Sequence, residues 1–140
     1  MTALRSRAGG AIVTLAITGL ALATAWIHLG LGGMLFTLNA AGYAVLAVVF
    51  MGGAFVSHPL LERFAWVRHF MLAGYTLTTI VGWAVMGPYF GLAYLTKAIE
   101  VVLLIAISLD VIRLFSSPLN MARIAWSSLP RLSTEQRVAA

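Results

Sequence analysis

The chain has 140 residues, 61% of them hydrophobic and 9% charged, with 9 Lys or Arg against 4 Asp or Glu for a net charge of +5. A soluble domain carries about a quarter charged residues, so this composition, with a mean hydropathy of +0.98, describes one integral membrane domain with little chain left for a soluble one. The absence of cysteine excludes disulfides, thiolate metal sites, iron-sulfur clusters and cysteine nucleophiles.

After a short N-terminus, 1–9, no Asp, Glu, Lys or Arg occurs between Arg7 and Glu62. That stretch is too long for one span and fits two joined by a turn. It predicts helices over about 10–31 and 39–57, broken at Gly30, Gly32 and Gly33, with Thr37 or Asn39 capping the second. A cleaved signal peptide competes for the first helix, because Arg5 and Arg7 precede an apolar run with small residues at Ala21, Ala23 and Ala25. The run continues through Trp26, Ile27 and Leu29, and loss of helix 1 would leave an odd number of spans, so a retained helix is expected.

The connection from Ser57 to Arg68 reads as an interfacial segment, with Leu60, Leu61, Phe64 and Val67 toward lipid and Glu62, Arg63 and Arg68 toward water. His58 and His69 are read as interfacial too. A third helix is expected over about 70–87, ending at Gly87-Pro88, where proline's missing amide discourages continuation. A fourth runs over about 91–115. Within 116–140, Ser116-Ser117-Pro118 opens a short interfacial amphipathic helix through Trp126, followed by a polar tail. The fold class is therefore all-α, a four-helix transmembrane bundle with short amphipathic segments at the interface.

Orientation follows from arginine. Arg5, Arg7, Arg63, Arg68, Arg113, Arg123, Arg131 and Arg137 fall at one end of the spans, and the two opposite connections contain no basic residue. The positive-inside rule then puts both termini in the cytoplasm, with the chain in the cell membrane. Topology and contact with anionic headgroups on the cytoplasmic face account for the net charge better than nucleic acid does, and no nucleic-acid partner is expected.

Lys97 and Glu100 are three residues apart on one helical face, about 9 and 13 Å into the fourth helix. Charges at that depth face a bundle interior, and they either pair structurally or mark a ligand, ion or proton site. His28 and, on the second helix, Asn39 and Tyr43 lie at the same level, so His28, Asn39, Tyr43, Lys97 and Glu100 form a candidate intramembrane polar cluster. The competing reading of His28 is a hydrogen bond to a neighbouring helix. His58 and His69 lie about 30 Å away, which disfavours a bis-histidine haem within one chain. No cofactor is identified. Asp110 and Arg113 read as a surface pair.

Gly74, Thr78 and Gly82 recur every four residues and form a stripe suited to helix packing. Trp66, Trp83, Tyr89 and Tyr94 fit interfacial belts. No nucleophile elbow, zinc helix, Walker loop or dinucleotide fingerprint is present, so no catalytic or metal residue is assigned and a non-enzymatic protein is expected.

His28-Leu29, Leu35-Phe36, Leu38-Asn39, Gly42-Tyr43, Gly74-Tyr75-Thr76 and Lys97-Ala98-Ile99-Glu100 together resemble the pattern of a family of small uncharacterised four-helix prokaryotic membrane proteins, over about 10–113. The resemblance implies that the His28 to Glu100 set belongs together, and it brings no activity. The leading expectation is an accessory or packing subunit of a larger membrane complex, or a homo-oligomer. The alternative is a small proton-linked transporter using Glu100, Lys97 and His28. An enzyme acting on lipid or quinone headgroups through Glu100 or His28 is a third and weaker reading, because no nucleophile or metal constellation supports it.

Overall fold

The computed structural model describes residues 2–129, with side chains from Gly9 onward. Six helices follow in order, α1 (Thr2–Leu31), α2 (Met34–Phe55), α3 (Pro59–Arg63), α4 (Ala65–Met86), α5 (Gly91–Phe115) and α6 (Pro118–Ser128), and no strand occurs among the described residues. Three segments are long and apolar enough to cross a membrane: Gly9–Leu31, Met34–Phe55 and Ala65–Met86. The fourth long helix, α5, has 25 residues and carries Lys97, Glu100, Asp110 and Arg113. The predicted polar tail, with Arg131 and Arg137, lies outside the described residues.

Helices α1 and α2 meet across a shorter hinge than expected. Gly32 and Gly33 have φ of 70° and 85°, a left-handed backbone that glycine adopts without a Cβ penalty. Two such residues reverse the chain at once, so α2 begins at Met34 rather than near 39. Thr37 and Asn39 therefore lie inside the helix and cap nothing. The Thr37 hydroxyl instead donates 3.0 Å to the Gly33 carbonyl.

At the other end, His58 Nδ1 accepts the Leu60 amide at 3.2 Å and Pro59 opens α3. This is an N-cap with proline in the first turn, where its missing N–H is not needed. The five-residue helix ends at Phe64, and α4 starts at Ala65, five residues earlier than expected. His69 therefore sits one full turn inside a long helix. It is 0% exposed, which corrects its reading as an interfacial residue.

Ser116, in the left-handed region at φ 65°, stops α5. Ser117 caps α6 by accepting the Asn120 amide at 3.0 Å, and Asn120 Nδ2 donates 2.9 Å to the Phe115 carbonyl. The far end of α6 is anchored on α4 and α3, with Trp66 Nε1 donating 2.9 Å to Ser128 Oγ and Arg63 donating 2.9 Å to its carbonyl. Trp66 thus latches α6 as well as marking the interface.

The long helices pack in the cyclic order α1, α2, α4, α5, with α5 returning to α1. Their buried residues form seams spaced three and four apart: Thr14, Ile17, Thr18, Ala21, Thr24, Ala25 and His28 on α1, Ala40, Tyr43, Ala47 and Phe50 on α2, His69, Leu72 and Thr76 on α4, and Ala93, Thr96, Glu100, Leu103, Ile107 and Asp110 on α5. That spacing keeps one stripe facing the neighbours. The polarity is inverted relative to a water-soluble bundle. Threonine, histidine and carboxylate point inward, while Leu15, Trp26, Val45, Val48, Leu77, Val85, Ile105 and Leu109 lie exposed outside. An apolar exterior of this extent requires lipid or other protein around it.

Gly42 marks the closest approach of α2 and α4, because a Cβ there would overlap the Tyr75 hydroxyl. That hydroxyl donates 3.2 Å to the Asn39 carbonyl and fastens the two helices at this level. Along the seam, Ile17, Ala21, Ala47, Leu72, Leu103 and Ile107 form an apolar middle. On either side of it lies a layer of buried polar groups.

Candidate functional site

The first layer lies where α1 ends and α5 begins. Glu100 is 0% exposed, about 13 Å along α5 at 1.5 Å per residue. Its Oε2 accepts Lys97 Nζ at 2.6 Å and the Thr79 hydroxyl at 3.1 Å. Lys97 also donates 3.3 Å to the Thr79 carbonyl. The Tyr43 and Thr79 hydroxyls bond to each other at 2.8 Å, and Thr79 also reaches the Thr76 carbonyl at 2.8 Å. Thr79 has a single proton, so it serves the Thr76 carbonyl or Glu100 and switches between them by rotation about one bond.

The other carboxylate oxygen, Glu100 Oε1, is buried and has no hydrogen-bond partner. His28 Nε2 stands 3.9 Å from it, about an ångström beyond a hydrogen bond. His28 Nδ1 lies 2.8 Å from the Thr24 carbonyl. A carbonyl can only accept, so Nδ1 carries the hydrogen and Nε2 of the neutral ring presents a lone pair toward Glu100. Two acceptors facing each other hold a proton between them when they close. Glu100 is therefore satisfied at one oxygen and unpartnered at the other, and an unpaired buried acceptor is costly.

A cavity of about 400 Å³ opens beside these groups. His28, Asn39, Thr79 and Lys97 give it a polar side, and Phe36, Tyr75, Trp83 and Phe90 an aromatic one. Lys97 has three N–H donors and two acceptors within reach, so one donor is left for a cavity occupant. Trp83 is held edge-on between Tyr89 and Tyr94, with ring centroids 5.4 and 5.2 Å away. This aromatic cluster stiffens the wall.

The structure thus brings His28, Tyr43, Lys97 and Glu100 together as a contact set. Asn39 joins by lining the cavity and by its carbonyl bond to Tyr75. The sequence reading did not place Thr76 and Thr79 in the polar cluster. Their spacing becomes a signal only once His69 and Leu72 are known to face inward, since both continue that seam at intervals of three and four. The Gly74, Thr78 and Gly82 stripe makes no close packing in the protomer: a Cβ on Gly74 or Gly82 would meet nothing within 4 Å. Thr78 donates 2.8 Å to its own helix at Gly74.

The second polar layer was read as surface and is interior. Asp110 is 1% exposed, which corrects its reading as half of a surface pair. His69 Nε2 lies 2.9 Å from Asp110 Oδ2, and Arg113 Nε and Nη2 donate to Asp110 Oδ1 at 2.9 and 2.6 Å. His69 Nδ1 lies 2.9 Å from the Ala65 carbonyl. One ring thus spans the Ala65 carbonyl and Asp110 and ties α4 to α5. Phe50 and Phe115 clamp the ring edge-on, with centroids 5.0 and 5.6 Å away. The misreading came from placing the start of α4 too late, which left His69 at an end rather than on the seam.

Between the layers, the hydroxyls of Thr18 and Thr24 on α1 are buried without a partner. No group of three or more His, Cys, Asp or Glu that could hold a metal exists among the described residues. No protein-family model, curated relative or solved structure matches the chain. The short motifs that resembled a family of small membrane proteins thus find no matching family model.

Proposed function

We propose that the chain is a small, non-enzymatic integral membrane protein of four spans with both termini in the cytoplasm, and that its His28 layer is a proton-linked binding site for a small membrane-borne ligand. The observation that carries this reading is the unpartnered Oε1 of a fully buried Glu100, facing the lone pair of His28 beside a cavity. A purely structural ion pair would have no use for an orphaned oxygen, because each unsatisfied buried acceptor costs about 1–3 kcal/mol. In this reading Glu100 is the titrating group, Lys97 holds one of its oxygens, and His28 passes or gates the proton.

The test is proton entry into proteoliposomes with an internal pH dye under an imposed potassium diffusion potential. Wild type should acidify the lumen faster than empty vesicles, and Glu100→Gln should return to the empty-vesicle rate while eluting at the same position from a sizing column. Wild-type flux equal to that of empty vesicles, or unchanged flux in Glu100→Gln, overturns the reading.

A second reading, an accessory subunit or homo-oligomer, is supported by a separate observation. Gly74 lies exposed on α4 with open space beside its backbone, and small residues of this kind let another transmembrane helix approach closely. The two readings are compatible, since a protomer of four spans gains a longer lined path by pairing.

A further inference from the structure

Where α1 and α4 begin and α2 and α5 end, a second cavity of about 620 Å³ is lined by Gly10, Ala11, Thr14, Phe55, Arg68 and Arg113, among others. Its charge does not balance. Among the described residues the one ion pair these two arginines make is Arg113 with Asp110 at 2.6 Å, which leaves the Arg68 guanidinium without a carboxylate. No acidic side chain lines the cavity.

The donors of the two arginines are also underused. Arg68 donates to the Gly53 carbonyl and lies over the Phe50 ring at 5.6 Å, yet its Nε is buried with no partner. Arg113 spends Nε and Nη2 on Asp110 and directs Nη1 toward α1, where a Cβ on Gly10 would stand 2.9 Å from it. Glycine at position 10 therefore leaves the space in which this nitrogen reaches the cavity. Thr14 adds a hydroxyl, and Phe55 an exposed apolar rim.

Two convergent guanidiniums with free N–H groups match the oxygens of a phosphate, which arginine binds by paired charge-assisted hydrogen bonds. We propose that this mouth binds a phosphate group through Arg68 and Arg113, presented either by an anionic phospholipid or as inorganic phosphate. The reading is independent of the His28 layer, which lies at the opposite end of the seam.

The experiment uses the full chain released into mild detergent. Native mass spectrometry compares retention of phosphatidylglycerol with phosphatidylcholine, and thermal unfolding compares inorganic phosphate with chloride at equal ionic strength. Wild type should retain phosphatidylglycerol preferentially, and Arg68→Gln should reduce that preference about five- to tenfold, the effect of one cation beside an anionic headgroup. Should Arg68→Gln fail to fold, Ala11→Leu narrows the cavity without touching a charge and should give the same loss. A rise in unfolding temperature with phosphate that both variants abolish, without a lipid preference, assigns the site to soluble phosphate. Absence of both effects, or effects of equal size in wild type and variants, overturns the proposal.

Discussion

The two polar layers are built from the same parts and finished differently. Each has a carboxylate on α5, a basic residue three positions outward from it, and a histidine whose Nδ1 is tied to the carbonyl four residues earlier. Glu100 and Asp110 lie about 15 Å apart along α5 at 1.5 Å per residue. In the His69 layer the histidine and carboxylate touch at 2.9 Å, whereas in the His28 layer they stand 3.9 Å apart. The histidine of the closed layer is flanked by two aromatic edges, whereas the histidine of the open one itself lines a cavity. A saturated buried network holds a structure together, while an unsaturated one has capacity left to bind. Under the proposed function, the first is a structural latch and the second the binding site.

The largest effect should come from breaking the latch. Asp110→Ala leaves His69 and Arg113 without their acceptor and should cost about 3–5 kcal/mol, the penalty for halving a buried ion pair. It would be read as a large fall in the thermal unfolding midpoint in detergent. Glu100→Gln should cost clearly less, about 1–2 kcal/mol, because the amide oxygen still accepts from Thr79 and Lys97 has cavity space in which to be solvated. Equal losses in the two variants would dissolve the distinction between the layers.

Next in size is Gly42→Ala, whose Cβ overlaps the Tyr75 hydroxyl. It should destabilise by about 1–3 kcal/mol, as overpacking does, and loosen α2 from α4 beside the open layer. Gly74→Leu meets open space on an exposed face of the protomer, so it should leave the unfolding midpoint within about 0.5 kcal/mol of wild type while lowering the particle mass if copies pair through this face. Thr24→Val should be the mildest, neutral or stabilising by about 1 kcal/mol, since its hydroxyl has no partner to lose. Measurable destabilisation there would mean that water occupies the seam between the layers.

Much of this arrangement is legible in the sequence, and the failures have physical causes. The apolar runs and the Gly32-Gly33 break locate the first hairpin, and the spacing of Lys97 and Glu100 places two charges inside the fourth helix. His28, Tyr43, Lys97 and Glu100 were grouped by depth alone, and they meet. The sequence could not show which face of α4 turns inward, because Thr76, Thr78 and Thr79 are chemically alike and only packing separates the seam from the exterior. It also hid the start of α4 behind Glu62, Arg63 and Arg68, whose charges mimic a surface loop. That concealed His69, and with it the burial of Asp110. The unpartnered Glu100 oxygen is a matter of one ångström and lies beyond any pattern of residues.

The most direct test is an infrared difference titration of the protein in lipid bilayers, following the carboxylic acid band. The account predicts a band that titrates in wild type, persists in Asp110→Asn and disappears in Glu100→Gln. A titrating band that vanishes with Asp110 and survives the loss of Glu100 would contradict it, because the working carboxylate would then lie in the layer described here as the latch.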